Sequence, residues 1–252
     1  MVMDYNGTAF RGSKVSGIAC NGNQINGISR NGDIIYKKKG TVRMLYGNKL
    51  PYMPCNNFAI SKNVSFSWEM GGIMYPFTDK GEKYNGHNGR SHWLGLQRRI
   101  MFSIAEKGTG GELQVALGAS GIINTGIKLD DKYHVYKFCT NTTTGTPKTW
   151  HVYIDGIEVY SHTYDFNSAT GHLDFYLWNW FGGSSQPARQ ALEYVKLIRN
   201  KVTLYDLVPV AKGEKPNGAS KAATFNTMFN KVDNSYMSVS NAFLFRILTE
   251  ER

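Results

Sequence analysis

The chain has 252 residues, enough for one large β-sandwich or for a sandwich with a small appendage. Twenty-seven glycines, 13% aromatics and 41% hydrophobic residues against only 19% charged ones exclude a disordered chain and favour pleated sheet over helix. The net charge of +10, from 29 Lys and Arg against 19 Asp and Glu, is dispersed along the chain.

The densest basic clusters, Lys37-Lys38-Lys39 and Arg98-Arg99, are short, and no zinc-finger spacing, RNP-like run or basic helix accompanies them. A nucleic-acid partner is therefore not expected; a solvated basic surface and a dedicated anion site both stay open. Cys20, Cys55 and Cys139 are far apart, odd in number and without C-x-x-C spacing, which argues against a disulfide framework or a structural zinc. The opening residues lack the basic and apolar regions of a signal peptide, and no run of about 18 apolar residues predicts a membrane span. Synthesis and folding in a cytoplasm, without membrane insertion, are the expectation.

The first forty residues carry an internal repeat. Val15–Gly22 is echoed by Ile25–Gly32, and Ile34-Ile35-Tyr36 follows. Asn-Gly dipeptides at 21–22 and 31–32 suit type I′ turns, which need positive φ at both central positions. They predict a three-stranded meander over 15–36. So small a sheet buries little by itself, so residues 1–40 are read as an attachment segment, docked on a partner or ornamenting the sandwich edge.

Residues 41–210 read as a sandwich of short strands between glycine-rich turns. Val64, Phe66, Trp68 and Met70 alternate with Ser65, Ser67 and Glu69. Trp150, Val152 and Ile154 precede an Asp155-Gly156 turn, and Ile157 and Val159 follow it. Further strands are expected at 133–138, 172–181 and 191–198, with a polar loop at 141–147. Residues 211–218 look like a mobile link. In the tail, 211–252, the spacing of Phe225, Met228 and Phe229 suits a short helical turn, and Val239, Phe243, Phe245 and Ile247 suggest a last strand packing back on the sandwich.

These pieces carry a resemblance. "NVSFSWEM" (63–70), "KYHVYKF" (132–138), "WHVYIDGIEVY" (150–160), "HLDFYLWNWF" (172–181) and the closing strand "LEYVKLIRNKVTLYDLVPV" (192–210) come in the order typical of laminin-G-like/concanavalin-like jelly-roll domains, which residues 58–210 resemble. The resemblance implies an all-β fold, an antiparallel jelly-roll β-sandwich. The "LVPV" ending and the "SGI…NG…NGI…NG" opening are similar to tailed-phage virion proteins, whether fibre, head-fibre or tail components.

Glucanases of this superfamily place two carboxylates a few residues apart on one strand face, as nucleophile and acid. The sequence form is Glu-x-Asp-x-(x)-Glu, and this chain has no such trio: its glutamates at 69, 82, 106, 112, 158 and 193 are isolated, and Glu250-Glu251 lies in the tail. No G-x-S-x-G elbow is present, six histidines are scattered, and Gly108-Thr109-Gly110-Gly111 lacks the lysine of a P-loop. The expectation is a protein that is not an enzyme, with no catalytic residues. Calcium is the ion the resemblance suggests, and Asp130-Asp131 and Asp79 could supply oxygens, but they read as turn residues. No metal and no cofactor are expected.

The strongest binding feature is 172–181. Leu173, Phe175, Leu177, Asn179 and Phe181 share one strand face and read as core; His172, Asp174, Tyr176, Trp178 and Trp180 share the other. The second set suits a glycan, with Tyr176, Trp178 and Trp180 stacking on sugar rings and Asp174 orienting hydroxyls. The competing reading packs these aromatics beneath the tail or against a neighbouring subunit.

The expected function is a virion structural protein, a fibre or decoration subunit, located in the virion and made in the host cytoplasm. Its expected partners are other virion proteins, further copies of itself and host surface glycans. The alternative is a carbohydrate-binding adhesin of a bacterial or phage surface with no structural role.

Overall fold

The computed structural model describes residues 19–20, 23–24, 27–30, 33–37, 41–47, 53–59, 65–75, 90–96, 100–105, 111–117, 122–140, 148–164, 172–177, 189–238 and 245–251. The Asn-Gly dipeptides at 21–22 and 31–32, the loop 141–147, Asp79, Arg98-Arg99 and Trp178 and Trp180 lie outside the described residues. No helix occurs among the described residues. The chain divides into two compact units, Met1–Val42 with Thr249–Arg252, and Arg43–Leu248.

In the first unit, β1 (Ala19–Cys20) pairs antiparallel with β2 (Asn23–Gln24), and β3 (Gly27–Arg30) with β4 (Asp33–Lys37). Cys20 pairs with Asn23 and Arg30 with Asp33, in two separate two-stranded sheets rather than the expected three-stranded meander, because β2 and β3 are not paired with each other.

The second unit is an antiparallel jelly-roll β-sandwich. Its six-stranded sheet consists of β6 (Met53–Ala59), β8 (Arg90–Leu96), β9 (Ile100–Ala105), β10 (Glu112–Leu117), β11 (Ile122–Lys128) and β15 (His172–Leu177), in the order β11-β10-β9-β8-β15-β6. The ten-stranded sheet follows the path β14 (Ile157–Tyr164), β13 (Lys148–Ile154), β12 (Tyr133–Thr140), β7 (Phe66–Tyr75), β16 (Arg189–Arg199), β17 (Val202–Val210), β18 (Thr227–Asn230) and β19 (Ser235–Tyr236). Beside this path, β5 (Thr41–Gly47) pairs with β16 and with β20 (Arg246–Glu251).

Period-two alternation makes the core. Trp68 and Met70 of β7, Tyr136 and Phe138 of β12, Trp150 and Val152 of β13, and Val195 and Leu197 of β16 point to one side and are buried. Leu113 of β10 and Leu177 of β15 belong to the same cluster, so the two sheets share one core. Phe138 stacks on Trp150 at 4.8 Å between ring centroids and leans on Trp68 at 6.1 Å.

Two-residue turns close two hairpins of the ten-stranded sheet. Asp155 (φ 51°) and Gly156 (φ 81°) join β13 to β14, as their Asp-Gly sequence suggests. The expected single closing strand over 192–210 is a hairpin instead. Asn200 (φ 47°) and Lys201 (φ 67°) both take the left-handed conformation between Arg199 and Val202. The Asn200 side-chain oxygen accepts a hydrogen bond from the Ser65 backbone N–H at 2.9 Å, and the Asn200 backbone N–H donates to the Ser65 carbonyl at 2.8 Å. Asn tolerates this conformation, and the link to Ser65 holds the turn to the start of β7.

The tail also differs from its sequence reading. Residues 227–230 form a strand rather than a helical turn, because the two faces enter different clusters: Met228 joins the sandwich core, whereas Phe229 packs with Val210, Ala219 and Ala223. Adjacent apolar residues that face opposite ways look like a helical cluster in sequence. Residues 211–218 form a closed loop, not a loose link. The Glu214 carboxylate accepts from the Ala211 amide at 2.9 Å and from Arg43 at 2.7 Å, and backbone bonds tie Gly213 and Glu214 to Ala223 at 2.8 Å.

Candidate functional site

β15 lies inside the six-stranded sheet, between β6 and β8. Tyr176 is paired with Pro54 and Gly95, and Leu177 with Met53 and Leu94. The register slips opposite β6, where Phe58 to Cys55 faces Leu173 to Phe175. The extra residue belongs to β6, so β15 keeps its alternation through Asp174. Leu177 is fully buried in the shared core. Asp174 and Tyr176 therefore sit in a strand second from the sheet edge, Tyr176 next to Leu177 and Asp174 two residues before Tyr176, at the alternate positions. Trp178 and Trp180, the other two residues of the expected glycan face, lie outside the described residues.

A second constellation, which sequence reasoning missed, occupies the side of the ten-stranded sheet away from the core. Gly71 of β7 pairs with Val135 of β12 and Tyr194 of β16. Tyr133 and Tyr194, from the strands on either side, lean over Gly71 so closely that any Cβ there would overlap the Tyr133 hydroxyl and the Tyr194 ring. The Tyr133 hydroxyl donates to Glu193, and that of Tyr194 donates to Glu69 Oε1 at 3.0 Å. Burial, reinforced by the Glu69 hydrogen bond, holds the Tyr194 phenol far above the usual tyrosine range, so it stays a donor at any working pH. One row farther along, Lys137, Glu69, Lys196 and Asp206 follow one another across four strands. The signal in the sequence was the Gly71-Gly72 pair inside β7, which marks a close approach.

Toward the edge of the same face, His151 Nδ1 lies 3.0 Å from Glu158 Oε2 across the β13–β14 pair, and its ring stacks on Tyr153 at 6.2 Å. Burial pushes the Glu158 carboxyl up, but hydrogen bonds to His151 and Tyr153 bring it below its ordinary value. Cys139 is paired opposite His151; burial raises its thiol, so it is not poised as a nucleophile.

At the start of β12, His134 is held between two carboxylates, Asp155 Oδ2 at 2.5 Å from Nδ1 and Asp130 Oδ1 at 2.9 Å from Nε2. Asp155 also accepts from the Val135 amide at 2.8 Å, locking the Asp155-Gly156 turn onto β12. Asp130, weighed from the sequence as a calcium ligand, instead serves His134, the Lys132 amide at 3.2 Å and the Lys132 ammonium at 3.5 Å. Among the described residues no group of three or more His, Cys, Asp or Glu side chains is arranged to hold a metal ion.

No protein-family model matches the chain, and no curated protein matches it. Solved structures do. Domain 4 of AbnA, a GH43 extracellular arabinanase from Geobacillus stearothermophilus, in complex with arabinotriose, is 16% identical at a TM-score of 0.32, over 56% of this chain and 63% of that one. The Bacillus licheniformis β-glucanase is 16% identical at 0.22, over 63% and 66%. The κ-carrageenase from Pseudoalteromonas carrageenovora, in complex with an oligotetrasaccharide of κ-carrageenan, is 13% identical at 0.24, over 73% and 86%. The chain thus spans less than two thirds of the first two.

These neighbours correct one expectation. The expectation of a protein that is not an enzyme is not upheld, since a β-glucanase, a κ-carrageenase and one domain of an arabinanase stand among the structures similar to it. Likenesses this distant carry no activity over to the chain.

Proposed function

We propose that this chain is a glycan-binding jelly-roll protein of a tailed-phage virion, a fibre or decoration subunit that assembles with other virion proteins and with further copies of itself. Asp174, Tyr176, Trp178 and Trp180 form its sugar face, the rings stacking and the carboxylate taking hydroxyls. The observation that carries the glycan reading is the position of β15: an interior strand, second from the edge of its sheet, with Leu177 fully buried, so that Asp174 and Tyr176 fall at the opposite parity. The virion reading draws support from the first unit, whose two short hairpins bury too little by themselves to be stable without a further surface.

Two experiments test this. A glycan array probed with the full chain should give a defined set of saccharide hits, and an empty array contradicts the glycan reading. Proteomics of purified particles should find the chain in the virion. A variant lacking residues 1–40 should remain folded but fail to enter particles, and normal incorporation contradicts the assembly role.

A further inference from the structure

We propose that the tyrosine pair over Gly71 is a second saccharide platform, on the ten-stranded sheet, taking a neutral, hydroxyl-rich ring. The ligand class rests on the glycan reading above; the site and its residues do not.

The platform is built in advance of any ligand. Gly71 lets Tyr133 and Tyr194 lie down on β7, and both residues are partly exposed. Their hydroxyls are anchored by Glu193 and Glu69, which leaves the rings little freedom to lose on binding. A ring fixed in this way offers an amphipathic surface on which the C–H face of a sugar can stack.

The surrounding charges select the occupant. Lys137, Glu69, Lys196 and Asp206 alternate in sign along one row, with Asp206 also held by Lys231 at 3.0 Å. A polyanion would meet Glu69, Glu193 and Asp206. An apolar protein surface would strip water from both lysines and their carboxylates with no compensating partner. A neutral sugar uses both signs, its hydroxyls accepting from ammonium groups and donating to carboxylates.

The test uses the full chain, with cellotetraose, xylotetraose and maltotetraose as probes at millimolar concentration and ring-proton NMR as the readout. At least one probe should shift the Tyr133 and Tyr194 ring resonances. Tyr194→Ala should abolish the remaining Tyr133 shift. Because that variant also removes packing over Gly71, the Lys137→Ala/Lys196→Ala double variant provides a second arm. It should weaken the affinity about tenfold with the melting temperature unchanged. Trp178→Ala should leave the Tyr133 and Tyr194 shifts in place. No ring shift with any probe, or full affinity in the double variant, overturns the platform. Shifts lost in Trp178→Ala alone also overturn it, and leave the sugar face on β15 standing.

Discussion

His134 Nδ1 sits 2.5 Å from Asp155 Oδ2 while its Nε2 sits 2.9 Å from Asp130 Oδ1, so both ring nitrogens face carboxylates and the protonated ring satisfies both. Burial pushes His134 down, but the hydrogen bonds to Asp155 and Asp130 outweigh it and raise its pKa above the ordinary 6.5. Asp130 is lowered mainly by its bond to His134. Asp155 is raised by burial but lowered further by His134 and the Val135 amide.

The signs give a pH window. The His134 contribution is complete below its unfolded value and is lost as pH rises through its raised folded value. The carboxylate contributions are present above about 3.8 and are lost as pH falls through their depressed values. The cluster is therefore most stabilising between about pH 4 and 6.5. Both carboxylates are nearly half exposed, so the effect stays within about 1 kcal/mol. Urea midpoints measured across pH should show a weakening above neutrality that His134→Gln removes; identical pH profiles for the two proteins would contradict this.

The two glycines of β7 should differ in their response to alanine. At Gly71 the new methyl meets side-chain atoms of Tyr133 and Tyr194, which can tilt away, at a cost of about 1–3 kcal/mol. At Gly72 it meets the Ala191 carbonyl oxygen, part of the β7–β16 ladder, which cannot move without breaking strand pairing. Thermal melts should rank Gly72→Ala below Gly71→Ala, and the reverse order would refute the register.

Trp150 is 1% exposed and stacked on Phe138. Trp150→Ala should cost about 3–5 kcal/mol, whereas Ile157→Ser, at a side chain 69% exposed beside the Asp155-Gly156 turn, should change stability by less than about 0.5 kcal/mol. Denaturant unfolding of both variants checks the assignment of the core face.

Lys201 holds φ 67° without the side-chain help that Asn200 has from Ser65. Lys201→Gly relieves that conformation and should raise stability by up to about 1 kcal/mol, less whatever entropy the unfolded chain gains. A lower melting temperature would contradict the left-handed turn.

The strands were legible where one face is buried and the other wet. Trp68 and Met70 against Ser67 and Glu69, and Trp150 and Val152 around an Asp-Gly turn, follow the period-two rule. Misreadings arose where that contrast fails. Thr227–Asn230 is buried on both faces, so Met228 and Phe229 looked like one helical patch. Asn200-Lys201 lacks the glycine that usually marks a two-residue turn. Of the tyrosine cluster only the Gly71-Gly72 pair showed in the sequence, because the cluster joins residues from three strands, Gly71, Tyr133 and Tyr194 with Glu69 and Glu193, and only register brings them together. The expected sugar face was read from one sequence segment, and of its residues only Asp174 and Tyr176 fall within β15.

That sugar face is the central claim, and Trp178→Ala tests it most directly when glycan affinity and melting temperature are measured on the same sample. Stacking on an open ring predicts a loss of saccharide binding with the melting temperature nearly unchanged, since an exposed ring contributes little to the core. A buried ring predicts the opposite, a destabilisation of about 3–5 kcal/mol with saccharide binding unaltered or absent from the start, and that result would contradict the account.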